Sequence, residues 1–264
     1  MNYYQNKVIW IIGASSGIGE SLCYNLSKLG ATIVLSSRNS EQLYTLKKNL
    51  EHPDKHLVLP LDLEKQDEFD RNLVQIINTY GKLDILFNNG GLSQRSEVKE
   101  TSLEVDRRIM EINYFGNIAL TKTVLPIFHK QGFGQIVVTS SIAGKFGFYL
   151  RSAYSASKHA LHGYYESLAL EELKNNITIT LLCPGKINTA ISTHALKGNG
   201  ETHNIMDHNQ ETGMPVEECV IQILKAVEKK KREVFIGNKE ILVVYIKRYF
   251  PRLFWKIIQK QKAT

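Results

Sequence analysis

Seven short runs rich in Val, Ile and Leu recur along this chain, and they lack the polar alternation of a strand with one wet face. They are "VIWII" (8–12), "TIVLS" (32–36), "HLVLPL" (56–61), "LDILF" (83–87), "QIVVTS" (135–140), "ITITLL" (177–182) and "EVFI" (233–236). Strands covered on both faces read this way, which is the signature of a parallel sheet. Helix-length amphipathic stretches separate them, near 17–29, 40–50, 67–80, 102–130, 153–174 and 215–230. Strand–helix alternation repeated this often predicts a doubly wound α/β domain of Rossmann type, with about seven parallel strands and helices on both faces. No linker, repeat or low-complexity tract interrupts residues 1–240, so one domain is expected there, followed by a C-terminal extension over 241–264.

One connection is too long for this plan. Residues 186–213, rich in Gly, Asn, Thr and His, are expected to form a mobile substrate loop. His194, His203 and His208 stand in it at irregular spacings that match no metal motif, and no metal is expected. The three cysteines, Cys23, Cys183 and Cys219, are far apart and form no CxxC, which fits a reducing, cytoplasmic setting. No run approaches the roughly 20 apolar residues of a membrane span.

The net charge of +7 is unevenly placed. Residues 225–264 hold 12 Lys/Arg against 3 Asp/Glu, while the first 224 hold 21 against 23. A basic tail on a slightly acidic body argues against nucleic acid as a partner. Within that tail, "ILVVYIKRYFPRLFWKIIQKQK" (241–262) predicts a helix opened by Pro251. Arg252, Lys256, Gln259 and Lys260 share one arc of it; Leu253, Phe254, Ile257 and Ile258 share the opposite arc, with Trp255 on the flank. Such a helix suits a peripheral membrane contact, and equally a tail packed on its own fold or on a second subunit.

"IIGASSGIGESL" follows the first strand and opens the first helix, with glycines at 13, 17 and 19. Gly13 permits a tight turn, Gly17 lets backbone approach a pyrophosphate, and Gly19 lets the helix pack against the strand. The helix N-terminus then offers N–H groups and a positive dipole end to phosphates, which points to a dinucleotide. The second strand ends "LSSRNS", where a carboxylate would bond the ribose of NAD. Arg38 stands there instead and suits the 2′-phosphate of NADP(H). Asp62, ending the third strand, is read either as an adenine contact or as a helix cap.

The ordered set "GASSGIG", "LFNNGG", "EINYFGN", "VVTSSIAG", "YSASK" and "CPGKINT" resembles the short-chain dehydrogenase/reductase family over nearly the whole chain to about residue 192. "LVLPLDL", "NNGGLSQRS" and "YSASKHALHGYY" are most similar to its dehydrogenase/reductase member 7 subgroup and bacterial relatives. Gly90 stands where most of the wider family has alanine; it is read as a lineage mark, since the subgroup also uses glycine.

The resemblance implies a catalytic group of Asn113, Ser141, Tyr154 and Lys158. Spacing alone could not select it, because four Tyr/Lys pairs lie four residues apart: Tyr3/Lys7, Tyr24/Lys28, Tyr44/Lys48 and Tyr154/Lys158. Only the last has a serine thirteen residues upstream. A free phenol, with pKa near 10, is a poor acid at neutral pH, and an ammunium-bearing neighbour on the same helix face is expected to lower it. Ser141 is expected to donate to the substrate oxygen, and Asn113 to anchor its helix.

The resemblance also implies cofactor contacts at Ser15, Ser16, Ile18 and Leu63, and at Asn89 and Gly90. Further along it places them at Pro184, Gly185, Ile187 and Thr189, with Tyr154 and Lys158 shared between cofactor and catalysis. It implies an NADP(H)-dependent oxidoreductase interconverting a carbonyl and a secondary alcohol, on a bulky apolar small molecule, as a homodimer or tetramer. The alternative is a dinucleotide-binding sensor on the same fold, which would not need Ser141, Tyr154 and Lys158 together.

Overall fold

A computed structural model describes residues 2–260. Seven parallel strands form one sheet: β1 (Val8–Ile12), β2 (Thr32–Ser36), β3 (Leu57–Val58), β4 (Ile85–Asn88), β5 (Gly134–Thr139), β6 (Ile177–Pro184) and β7 (Glu233–Ile236). Their order across the sheet is β3-β2-β1-β4-β5-β6-β7. The helices are α1 (Gly17–Lys28), α2 (Ser40–Lys48), α3 (Phe69–Tyr80), α4 (Leu103–Met110), α5 (Gly116–Gln131), α6 (Ser152–Glu171), α7 (His208–Glu211), α8 (Val216–Glu228), α9 (Leu242–Tyr249) and α10 (Pro251–Ile258).

The absence of polar alternation has the expected cause. All five residues of β1 are buried. Ile9 and Ile11 join one core cluster with Leu22 and Leu26 of α1, while Val8, Trp10 and Ile12 join another with Leu120 and Val124 of α5. The period of two survives in the packing although both faces are apolar. Because the chain winds outward from β1 in both directions, the crevice between the carboxyl ends of β1 and β4 is the switch point where such folds bind ligands.

Some elements differ from the sequence reading. The third strand is assigned only over Leu57–Val58, although the Leu59 and Leu61 N–H groups still donate to the Leu35 and Ser37 carbonyls. Pro60, between them, occupies the outer edge, where no ladder bond is needed. The helix expected over 102–130 is interrupted by a π-helical turn at Glu111–Phe115, which contains Asn113. Such turns wedge one extra residue into a helix and often mark functional sites.

The long connection after β6 is tied to the body of the fold at several points. Bridges join Leu196 to Gln94 and Thr202, and Ile187 to Met214. Ser192, Ala195, Leu196 and Asp207 are buried.

The C-terminal extension folds back as α9 and α10. Phe254 is buried against Phe146 with ring centroids 5.3 Å apart, in a cluster with Ile142. Ile258 points into the cavity described below. The apolar arc expected of this helix therefore divides, since Leu253 and Trp255 remain exposed. Lys262, within the segment singled out in the sequence, lies outside the described residues. Among those residues no helix is long and apolar enough to cross a membrane.

Candidate active site

The carboxyl ends of β1, β4, β5 and β6 converge on one crevice. Gly13, with φ of +74°, turns the chain out of β1 so closely past the next strand that a Cβ on it would lie 2.9 Å from the Gly90 Cα. A Cβ on Gly19 would lie 2.0 Å from the Gly13 carbonyl oxygen, so α1 can begin here only without a side chain. Gly90 is itself enclosed: a Cβ there would meet Leu63 at 3.0 Å and Ile12 at 3.2 Å. The glycine read as a lineage mark thus has a local steric partner in Leu63.

These residues fit a dinucleotide. Ser16 is the N-cap of α1, yet its side chain caps no backbone N–H, leaving the helix start available to phosphate oxygens. Ser15 and Ile18 flank that start, and Ile18 lines the cavity beyond it. At the end of β2, the Ser37 Oγ is buried without a hydrogen-bond partner among the described residues, as a ribose-facing hydroxyl would be before ligand binding. Ser36 is committed elsewhere, accepting from Trp10 Nε1 at 2.8 Å and donating to the Leu59 carbonyl at 2.6 Å. Arg38 is exposed beside them. Asp62 accepts from the Glu64 backbone N–H at 3.1 Å, closing a turn; the next helical turn starts after Lys65, so Asp62 is not its cap.

Paired asparagines join the strand ends. Asn89 donates to the Gly13 carbonyl at 3.5 Å and accepts from Thr139 Oγ1 at 3.1 Å, linking β1, β4 and β5. Asn88 is buried and donates to Thr121 Oγ1 and the Tyr165 hydroxyl. Tyr165 is accordingly a core residue. Asn113, fully buried, forms a two-way clamp on Leu92: its Oδ1 accepts from the Leu92 N–H at 2.7 Å, and its Nδ2 donates to the Leu92 carbonyl at 2.9 Å. Its Nδ2 also donates to Ser157 Oγ at 3.0 Å, tying the π-helical turn to α6.

Ser141, Tyr154, Pro184, Gly185, Ile187 and Thr189 line one cavity of about 110 Å³. Ser141 Oγ accepts from the Ala143 N–H at 3.1 Å and donates to the Pro184 carbonyl at 3.3 Å. Lys158 is buried, its Nζ donating to the Thr139 carbonyl at 2.7 Å and lying 5.7 Å from the Tyr154 ring centroid.

Burial raises the Tyr154 phenol above its ordinary value; the Ser141 hydroxyl, then the charges of Arg151 and Arg95, draw it back down. Lys158 is not among those influences, which corrects the expectation that its ammonium tunes the phenol in the dinucleotide-free chain. Burial instead lowers Lys158 itself to about 8. Arg95 and Arg151 also line this cavity, and sequence reasoning did not single them out. Both were visible as charges near a motif, in "SQRS" and "RSAY", but nothing local shows that they converge.

Behind Ser141, the ligand-type atoms of His162, Cys183 and Glu233 lie within 4.8 Å of one another. The Lys145 ammonium already pairs with Glu233 at 2.5 Å, and burial pushes the Cys183 thiol up. This cluster carries its own cation.

A sheet of this order, with a glycine turn at its switch point and a Ser/Tyr/Lys group beside it, defines a dinucleotide-dependent dehydrogenase. The short chain dehydrogenase family profile matches residues 7–200, and the chain belongs to that family. It is 38% identical over 263 residues to dehydrogenase/reductase SDR family member 7 of Homo sapiens, covering 97% of this chain and 77% of the relative. It is 36% identical over 266 residues to a dehydrogenase/reductase SDR family protein 7-like of Drosophila melanogaster, covering 98% and 82%. A short-chain dehydrogenase from Streptomyces avermitilis superposes with a TM-score of 0.83 at 25% identity, over 97% of each chain. One from Burkholderia phymatum, solved in complex with NAD, shares the fold with a TM-score of 0.82 at 20% identity, over 96% of each chain.

The buried lysine makes stability depend on pH. Folded Lys158 gives up its proton near pH 8, whereas the unfolded chain holds it to about 10.5. Between those values the unfolded state binds the extra proton, so stability rises with pH. Above pH 10 the buried Tyr154 phenol stays protonated while the unfolded one ionises, and stability falls again. Denaturant unfolding of the dinucleotide-free protein should show a rise between about pH 8 and 10, on the order of 3 kcal/mol at most. Lys158→Met should flatten that rise and stabilise the protein at pH 7; an unchanged profile would remove Lys158 as its source.

Proposed function

We propose that this chain is an NADP(H)-dependent oxidoreductase that interconverts a carbonyl and a secondary alcohol on a bulky apolar substrate. The observation that carries the reading is the cavity at the strand ends, where Ser141 and Tyr154 face the same space and Lys158 stands behind the phenol. Ile142, Phe148, Ile187, Ile191 and Ile258 supply apolar walls, which favours a lipid-, steroid- or retinoid-like substrate.

When bound at the Gly13–Gly19 turn, the dinucleotide supplies or accepts a hydride. Every other requirement falls on side chains of this chain. Tyr154 gives its phenolic proton to the substrate oxygen during reduction and takes it back during oxidation. Ser141 donates a hydrogen bond to that oxygen as negative charge develops on it. Lys158, fixed on the Thr139 carbonyl, holds a positive charge beneath the phenol and offers its remaining N–H groups to the nicotinamide ribose. Asn113 holds the Leu92 backbone and α6 in register, and helps a water pass protons to Lys158. Arg38 pairs with the 2′-phosphate.

Tyr154→Phe should abolish NADPH-dependent carbonyl reduction while leaving NADPH binding within a few-fold, because the ring keeps its packing and loses only the proton. Tyr24→Phe, in a Tyr/Lys pair of the same spacing, should be nearly silent. Equal losses from both would overturn the assignment.

Arg38→Ala should weaken NADPH far more than NADH, as measured by fluorescence titration. A charge-assisted phosphate contact is worth roughly 1.5–3 kcal/mol, about ten- to a hundredfold in affinity. A wild-type preference for NADH would contradict this reading.

The same reading includes peripheral contact with an anionic membrane and assembly as a homodimer or tetramer. Tyr249, Phe250, Leu253 and Trp255 are exposed on the outer side of α9 and α10, among Lys247, Arg248, Arg252 and Lys256. Apolar and aromatic groups ringed by cations suit an anionic interface, at about 1 kcal/mol per basic residue. Sedimentation should show binding to anionic vesicles at low salt that fades at high salt and is lost on truncation after Tyr249. Without vesicles it should give a dimeric or tetrameric mass. Failure to bind anionic vesicles at low salt removes the membrane contact, and a monomeric mass removes the assembly.

A further inference from the structure

Two guanidinium groups and one carboxylate are buried beside the phenol. The side chains of Arg95, Arg151 and Asp207 are 1%, 14% and 0% exposed. Arg95 follows β4, Arg151 immediately precedes α6, and Asp207 lies in the long connection after β6. One oxygen, Asp207 Oδ2, receives Arg95 Nε at 2.8 Å, Arg95 Nη2, and Arg151 Nη2 at 3.0 Å. Arg95 is fixed further by donating from Nη1 to Ser93 Oγ at 2.9 Å and to the Gln94 carbonyl at 2.6 Å.

Both arginines line the cavity that holds Tyr154, and Arg151 stands one helical turn before it. Burying three charges is costly. A tether for the connection would be met by one ion pair; here Arg95 and Arg151 share the Asp207 carboxylate, and among the described residues this cluster carries a net positive charge beside a group whose ionised form is an anion.

We propose that Arg95 and Arg151 are positioning residues that set the electrostatic environment of Tyr154, and that Asp207 moderates them when the connection after β6 is seated. From this cluster, besides Lys158, the phenol then senses one net positive charge with Asp207 in place and two without it. Enclosure of substrate by that connection is thereby coupled to the strength of the proton donor.

The other groups around the phenol are Lys158 on its own helix, Ser141 after β5, and Lys186 after β6. His203 Nε2 stands 3.7 Å from Asp207 Oδ1 on the far side of the carboxylate. Burial pushes the His203 imidazole down, so it adds no charge at neutral pH and above. Arg151 itself is lowered by burial and by Arg95 to about 10, while Asp207 supports its charge.

The inference rests on Tyr154 as the proton-transfer group, so its test includes a measurement that needs no turnover. Tyrosinate absorbance is titrated in the NADPH complex of wild type, Arg151→Gln, Arg151→Lys and Asp207→Asn, each minus its own Tyr154→Phe counterpart. Arg151→Gln should raise the Tyr154 midpoint and Asp207→Asn should lower it, each by about one pH unit. Arg151→Lys, which keeps the charge and loses the fork, should stay near wild type. A mere tether predicts that Arg151→Gln and Asp207→Asn shift the midpoint in the same direction, because both release the connection and hydrate the phenol. That result, or Arg151→Lys matching Arg151→Gln, overturns the proposal. The limb of the kcat/KM profile for carbonyl reduction should move with the same opposite signs. Opposite titration shifts in a protein that reduces no carbonyl would uphold the charge arrangement and refute the proposed activity.

Discussion

Burial of the central strands on both faces is the constraint from which the site follows. With Ile9 and Ile11 in one core and Trp10 and Ile12 in the other, β1 has no face left for polar chemistry. Polar groups can gather only where strands end, and the order β3-β2-β1-β4-β5-β6-β7 leaves its gap between the first and fourth strands. The glycine turn, the paired asparagines and the Ser141 turn all occupy that rim. Their backbones leave the sheet there, and their hydrogen bonds replace the ladder.

What keeps the rim in register is a set of side-chain hydrogen bonds, to backbone and to other side chains. Asn89 joins three strand ends, and Asn113 clamps Leu92 while holding Ser157 of α6. The π-helical turn at Glu111–Phe115 places the Asn113 amide there, inside what would otherwise be a continuous helix. Such bonds stabilise modestly when made and are costly when lost, because their partners are buried. They therefore fix the geometry of the site more than they add to the stability of the fold.

The site also places groups where their charged forms are disfavoured. Tyr154 and Lys158 are buried in opposition: the phenol is held neutral longer, and the ammonium is pushed toward neutrality near pH 8. Only the Lys158 shift moves toward neutral pH; the burial of Tyr154 makes its phenol a weaker acid, a cost that the nearby hydroxyl and cations reduce. The surrounding cations, Arg95 and Arg151, offset the burial of the phenol, and Asp207 limits that effect.

The chain's own order of residues determined the strand–helix alternation, the glycine turn and the Ser141/Tyr154/Lys158 register, because each depends on neighbours within one or two elements. Tyr154 was separable from Tyr3, Tyr24 and Tyr44 only through the serine upstream and the resemblance it belongs to. The tertiary structure decided the rest. It left β3 as a two-residue strand at the sheet edge, and it drew Phe254 onto Phe146 across more than a hundred residues. It also brought Arg95, Arg151 and Asp207 to a single carboxylate oxygen from three separate connections. Periodicity reports which face of an element is dry; it carries no information on which distant charges will share a cavity, since that is fixed by sheet order and by the requirement that buried ions find partners.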